Sequence, residues 1–177
     1  MKTFVSSIQR LEEAVAKEIR AEESKATSIP GHQMRRCFKT GTRGCPQNPP
    51  KEKSRVFVAM PFSDDYKDSY EFGVKIALEQ LGMMPYKADE NINNKDVMCK
   101  ICEKIQCCGK VIANISGRNP NVMLEVGIAY GLGKEVFLIK DEKSEVISDL
   151  GCVEYIEYSH AVDLRNKLFN ALQSSKF

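Results

Sequence analysis

Apolar positions recur at two different rhythms along this chain. Between residues 3 and 25, Val5, Ile8, Val15 and Ile19 fall on one stripe with Leu11 beside it, and Glu, Lys and Arg fill most of the remaining positions. That spacing predicts an amphipathic helix with a narrow apolar face. Residues 26 to 54 hold Pro30, Gly31, Gly41, Gly44, Pro46, Pro49 and Pro50 and few large apolar side chains, the composition of a linker or irregular loop. From Arg55 onward, short apolar runs alternate with longer stretches of helical period.

The runs RVFVAM, MMPYKA, KVIANI, EVFLIK and VEYIEY read as five strands. The first is closed by Pro61, and Pro85 within the second argues for a sheet edge. Ser63, Asp64 and Asp65 can cap a helix that runs to about Leu81 and stops at Gly82. Val97, Ile101 and Ile105 recur every fourth position in a helix over residues 93 to 108. Asn121 is a candidate cap for a third helix, which runs through Tyr130 and is broken by Gly131 and Gly133, and residues 160 to 173 form the last. Strands alternating with helices imply parallel strands joined by right-handed crossovers. The expected fold over residues 55 to 177 is therefore α/β: a doubly wound, parallel, five-stranded sheet of flavodoxin-like or Rossmann-like type. Residues 1 to 54 form an N-terminal helical extension and linker. Ligands of such sheets bind beyond the C-terminal strand ends, near the switch point. Three segments fall there: Ala59–Asp65, Ala88–Asn91 and Asn114–Glu125.

Composition narrows the function classes. The 177 residues include 26 basic and 24 acidic side chains, a net charge of +2 that gives no long-range attraction to nucleic acid or to an anionic membrane. No apolar run approaches the roughly 20 residues needed to cross a bilayer. Glu12, Glu13 and Lys17 interrupt the place where a signal peptide needs an apolar stretch. The seven cysteines are odd in number and irregularly spaced, which fits a reducing cytoplasm better than a disulfide framework. Cys99 and Cys102 lie within an expected helix, with Cys107 and Cys108 at its end, and Cys37 and Cys45 flank the glycine-rich linker. That pattern matches buried small hydrophobes better than a zinc knuckle, so no metal is expected. His32 and His160 lie away from the expected site. There is no P-loop and no GxGxxG after the first strand.

The candidate chemistry concentrates in SGRNPNVMLE, Ser116 to Glu125. Amide N–H groups at a helix start, with the positive end of its dipole, suit an anion or a ribose hydroxyl. Asn114, Ser116, Asn119 and Asn121 offer hydrogen bonds, Gly117 allows close backbone approach, and Arg118 presents a fork for a phosphate or carboxylate. An ordinary capped strand-to-helix turn has the same composition. Glu125 is the only charge in VMLEVGIA and, four residues past Asn121, can face the site from the first turn. It suits a nucleophile or oxocarbenium stabiliser at a sugar carbon, or a carboxylate complementing the helix dipole. Asp89 is a second candidate carboxylate at a strand end, or a solvated turn residue. Met60, Pro61 and Phe62 can wall a pocket or end a strand. Tyr66 and Tyr70, four apart, can stack on a base or pack into the core.

Together VFVAMPF, YKADE and VIANISGRNPNVMLEVGIAYGLGKEVFLI resemble the nucleoside 2-deoxyribosyltransferase-like family over about residues 55 to 140. NPNV–x–x–E–x–G–x–A is the most specific part. The resemblance implies a flavodoxin-like fold, a nucleoside or nucleotide as small-molecule partner, and a homodimer or larger homo-oligomer. It also implies that Glu125 attacks the anomeric carbon while an acid assists departure of the base, without a cofactor. Nucleotide N-glycosidases and, more distantly, TIR-type NAD hydrolases share this broad fold group and the dependence on Glu. Many relatives carry Asp where this strand ends in Asn114, and an amide cannot act as acid or base. Asp89 then becomes the candidate proton partner. The alternative readings are a non-catalytic module that binds a nucleotide or signalling ligand on the same loop, and a TIR-like NAD hydrolase.

Overall fold

Short runs rich in β-branched and aromatic residues become the five strands of one sheet. The computed structural model describes residues 37, 39–41, 45, 49–61, 63–87, 97–145 and 153–175. The chain divides into two units, Met1–Pro46 and Gln47–Phe177. In the first, the Gly41 N–H donates to the Cys37 carbonyl at 2.8 Å and closes a turn. The helix expected over residues 3 to 25 lies outside the described residues.

The second unit holds β1 (Glu52–Ala59), helix α1 (Ser69–Lys75 continuing as Ile76–Gln80), β2 (Met84–Lys87), α2 (Val97–Cys107), β3 (Cys108–Asn114), α3 (Pro120–Gly131), β4 (Glu135–Asp141), β5 (Tyr155–Tyr158) and α4 (Ala161–Ser174). All pairings are parallel, in the order β2-β1-β3-β4-β5. That is the flavodoxin-like order, with its switch point between β1 and β3. Pro85 sits on edge strand β2, where its missing N–H costs least. Strand β1 begins at Glu52, three residues before the expected start. Cys108, expected to end a helix, is instead the first residue of β3, paired with Glu52 of β1, and the chains approach closely at the next residue: a Cβ on Gly109 would meet the Lys53 carbonyl oxygen at 2.5 Å.

Alternation along the strands divides the core in two. Val56, Val58, Met60, Ile112, Ile139 and Tyr158 face α1 and α4, whose Val74, Ala77, Leu78, Leu164, Leu168 and Leu172 complete that layer. Phe57, Ala59, Val111, Ala113 and Leu138 face α2 and α3, which contribute Ile105, Val122, Val126 and Ala129. Each fully buried large side chain adds about 1.5–3 kcal/mol of transfer free energy. The two helices approach closely at Gly73 of α1, where a Cβ would lie 2.8 Å from the end of the Leu164 side chain and 3.2 Å from the Ala161 carbonyl oxygen. Among the described residues no helix is long and apolar enough to cross a membrane.

Candidate functional site

The loop after β3 is built from its own side chains outward. Asn114 ends the strand on the α1/α4 face and is fully buried. Its Oδ1 accepts from the Ser116 N–H at 3.0 Å and its Nδ2 donates to the Tyr158 hydroxyl at 3.2 Å. Ser116 is also fully buried, and its Oγ accepts from the Asp141 N–H at 2.8 Å. The Gly117 N–H donates to Ser144 Oγ at 3.3 Å, and Arg118 forms an exposed 2.6 Å ion pair with Glu145. Three consecutive loop residues are thus fastened to the last residue of β4 and the segment just after it. Gly117 has φ +69°, and a Cβ on it would meet the Tyr66 hydroxyl at 2.9 Å, so the loops following β1 and β3 touch at the switch point. Arg118 also holds a left-handed backbone, φ +53°, which a non-glycine residue adopts at some strain.

The cap of α3 is Asn119, two residues before the expected Asn121. Asn119 Oδ1 accepts from the N–H groups of Asn121 and Val122 at 2.9 and 3.4 Å. Pro120 takes the first helical position, where its fixed φ fits and its missing N–H costs nothing. Asn121 is exposed. Glu125 consequently sits in the second turn of α3, not the first.

Glu125 is the one buried acid among the described residues, 7 % exposed. Burial pushes its carboxyl up to about 7, against the pull of the Lys104 ammonium on α2. Lys104 Nζ itself lies over the Tyr86 ring, 5.1 Å from its centre. The structure separates Glu125 from Asn114: α3 covers the face opposite the one that Asn114 and Tyr158 share.

A cavity of about 350 Å³ opens beyond β1 and β2, lined by Met60, Pro61, Asp64, Tyr66, Tyr70 and Lys87 among others. Lys87 Nζ stands 4.7 Å from the centre of the Tyr70 ring. Tyr66 and Tyr70 pack against the α1/α4 core and line the cavity at once. Burial raises the phenol of each, and for Tyr66 the Asp141 charge adds to it. Asp141 would itself be raised by burial. Hydrogen bonds with Ser116, Ser144 and Lys143 outweigh that and hold it below the usual carboxylate range. Glu125 does not line this cavity. Asp89 and Phe62 lie outside the described residues.

Sequence reasoning missed Asp141, Ser144, Tyr158 and Lys104. The polar run DEKS after the fourth strand was the available signal for the first two, since it marks another C-terminal strand end. Nothing in the sequence ties Lys104 to Glu125. None of the six described cysteines is in a disulfide, and burial pushes the Cys108 thiol up to about 12, an inert structural thiol. No group of three or more His, Cys, Asp and Glu among the described residues could hold a metal ion.

No protein-family model and no curated protein matches the chain. Solved structures do. A CMP N-glycosidase of Clostridium botulinum is similar at 24 % identity and TM-score 0.53, over 66 % of this chain and 98 % of that one. The TIR domain of a Toll-related receptor of Hydra magnipapillata matches at 17 % identity and TM-score 0.53, over 70 % and 100 %. A 2-deoxyribosyltransferase of Bacillus psychrosaccharolyticus matches at 17 % identity and TM-score 0.50, over 70 % and 93 %. With these the chain shares its five-stranded α/β fold.

Proposed function

We propose that this domain processes the N-glycosidic bond of a nucleoside or nucleotide, with Glu125 as nucleophile or oxocarbenium stabiliser. The observation that carries the reading is the buried carboxyl of Glu125, raised to about 7 on the helix that follows β3 beside the switch point. In its ionised form it attacks the anomeric carbon. The carbon–nitrogen bond breaks, and the base leaves with the bonding electrons and takes a proton from an acid. Asp89, two residues beyond β2, is the candidate acid. Water or a second base then displaces Glu125, which gives hydrolysis or transfer. No metal or organic cofactor enters this displacement. The cavity beside Met60, Pro61 and Tyr70, with Phe62 adjoining in sequence, is of a size for the base. The loop's backbone, at Gly117 and at the start of α3, would meet the sugar or its 5′ group, with Arg118 turned from Glu145 to a phosphate. That proteins of this fold are named for N-glycosidase and deoxyribosyltransferase activity is an analogy of fold. Assembly as a homodimer or larger oligomer belongs to this reading through the family resemblance.

A second reading, a non-catalytic nucleotide-binding or signalling module, is favoured by one observation. Asn114, Ser116, Arg118 and Asn119 all spend their side chains on bonds within the chain. The test incubates the protein with deoxynucleosides, nucleoside monophosphates and NAD and follows base release by chromatography. The proposal expects release from at least one of the first two classes. Release from NAD alone would point to TIR-type hydrolysis. Saturable binding without release would favour the module.

A further inference from the structure

Lys140 is buried at the C-terminal end of β4, only 2 % exposed, two residues past Leu138 and so on the same face of the sheet. An ammonium carries three protons, and taking it out of water is costly unless each finds an acceptor. Here each does. Nζ donates to the Asp141 carbonyl at 2.9 Å, to the Ser144 carbonyl at 2.7 Å and to the Glu157 carboxylate on β5 at 2.9 Å. The centre of the Tyr155 ring lies 5.6 Å away. The two carbonyls are the ends of one turn, which the Ser144 N–H closes by donating to the Asp141 carbonyl at 3.3 Å. The Asp141 carboxylate accepts from the N–H groups of Lys143 and Ser144 at 2.9 and 2.8 Å, so ammonium and carboxylate grip the same turn. From it three groups reach the loop after β3. The Asp141 N–H donates to Ser116 Oγ, Ser144 Oγ accepts from the Gly117 N–H, and Glu145 pairs with Arg118. Gly117 and Arg118 are consecutive residues with left-handed backbone. Strain of that kind persists only where the surroundings fix it, and the turn supplies three such ties.

We infer that Lys140 is a positioning residue of the proposed reaction: its buried ammonium sets the turn after β4, and through that turn the backbone of Gly117 and Arg118 that meets the sugar or its 5′ group. Lys140 itself touches no substrate and neither bond made nor bond broken. An apolar side chain at this position would fill the same space but draw in neither carbonyl. The loop would then lose the geometry that orients a bound sugar toward α3, where small displacements cost rate steeply. The inference rests on the proposed function for its chemical meaning, but the ties themselves are measurable without any substrate.

The test begins with nitrogen-15 NMR of the wild-type protein. The inference expects a slowly exchanging Lys140 ammonium signal with couplings across hydrogen bonds to the carbonyl carbons of Asp141 and Ser144. Lys140→Met, which keeps the aliphatic packing, is then compared with Leu172→Ala, a core variant of α4 close in sequence to Ser175, whose hydroxyl bonds Glu135 at the opposite end of β4. The Gly117 and Arg118 amide signals should shift in Lys140→Met and stay in place in Leu172→Ala. Well below both melting temperatures, kcat/KM for base release should fall on the order of tenfold in Lys140→Met and stay near wild type in Leu172→Ala. Should Lys140→Met fail to fold, Ser144→Ala, which removes the acceptor of the Gly117 N–H, carries the same expectation. An ammonium without those couplings overturns the inference. So does a Lys140→Met or Ser144→Ala protein whose Gly117 signal and kcat/KM match those of Leu172→Ala. Absence of base release by wild type, with the couplings and the Gly117 shift as expected, would sink the proposed function and uphold the part of Lys140 in setting the loop.

Discussion

The side-chain amide of Asn114 donates to the Tyr158 hydroxyl at 3.2 Å, a bond that ties the end of β3 to the end of β5 across β4. With its other end Asn114 shapes the turn into the loop, through the Ser116 N–H. Asn114 therefore has a structural task on the face away from Glu125.

Asn114→Leu removes both bonds and leaves the Ser116 N–H buried without its partner. Urea denaturation should show a loss of about 2–3 kcal/mol. Asn114→Asp keeps an acceptor for Ser116 and gives Tyr158 a group to donate to, but it buries a charge. Its folded carboxyl is raised, so the variant should be closest to wild type near pH 4 and lose stability as pH rises toward 8.

Glu125 has the same sign for the same reason. Its folded value of about 7 lies above the ordinary 4.5, so its contribution is complete below about 4.5 and is lost as pH rises through 7. Wild type should lose up to about 3 kcal/mol over that window. Glu125→Gln should flatten the profile and melt higher than wild type at pH 8 in calorimetry. Equal slopes in the two proteins would remove the raised carboxyl from the account.

Gly117→Ala places a methyl group 2.9 Å from the Tyr66 hydroxyl at a residue with φ +69°. The expected cost is about 1–2 kcal/mol. Tyr66→Phe in the same chain should recover the steric part and leave the backbone part. A double-mutant cycle in urea with no coupling between the two sites would deny the contact.

Tyr70→Leu removes the aromatic face under Lys87 while keeping apolar volume in the cavity wall. Affinity for the preferred nucleoside or nucleotide, measured by calorimetry, should fall on the order of tenfold. Unchanged affinity would place the base elsewhere.

The fold was legible because each strand announced itself locally. RVFVAM and EVFLIK carry the β-branched and aromatic residues of buried strands, Pro85 marked the edge, and the alternating order required crossovers. The cap of α3 was misplaced by two residues because Asn119 and Asn121 have the same chemistry, and only the position of Pro120 separates them. The site was legible as a loop but not as a set of partners. Whether Asn114 and Glu125 face one ligand depends on which sheet face each side chain takes, and the end of a strand does not announce its parity. The ties of Ser116, Gly117 and Arg118 to Asp141, Ser144 and Glu145 span about 25 residues of sequence. They arise from the register of β3 on β4, which no local pattern encodes.

The most direct measurement compares base release by wild type and Glu125→Gln on the best substrate from the panel, at pH 7.5 and below the melting temperature of both. Calorimetry alongside confirms that the variant still binds. The account predicts retained binding with release reduced on the order of 10³-fold or more. Release that continues unchanged in Glu125→Gln would contradict it.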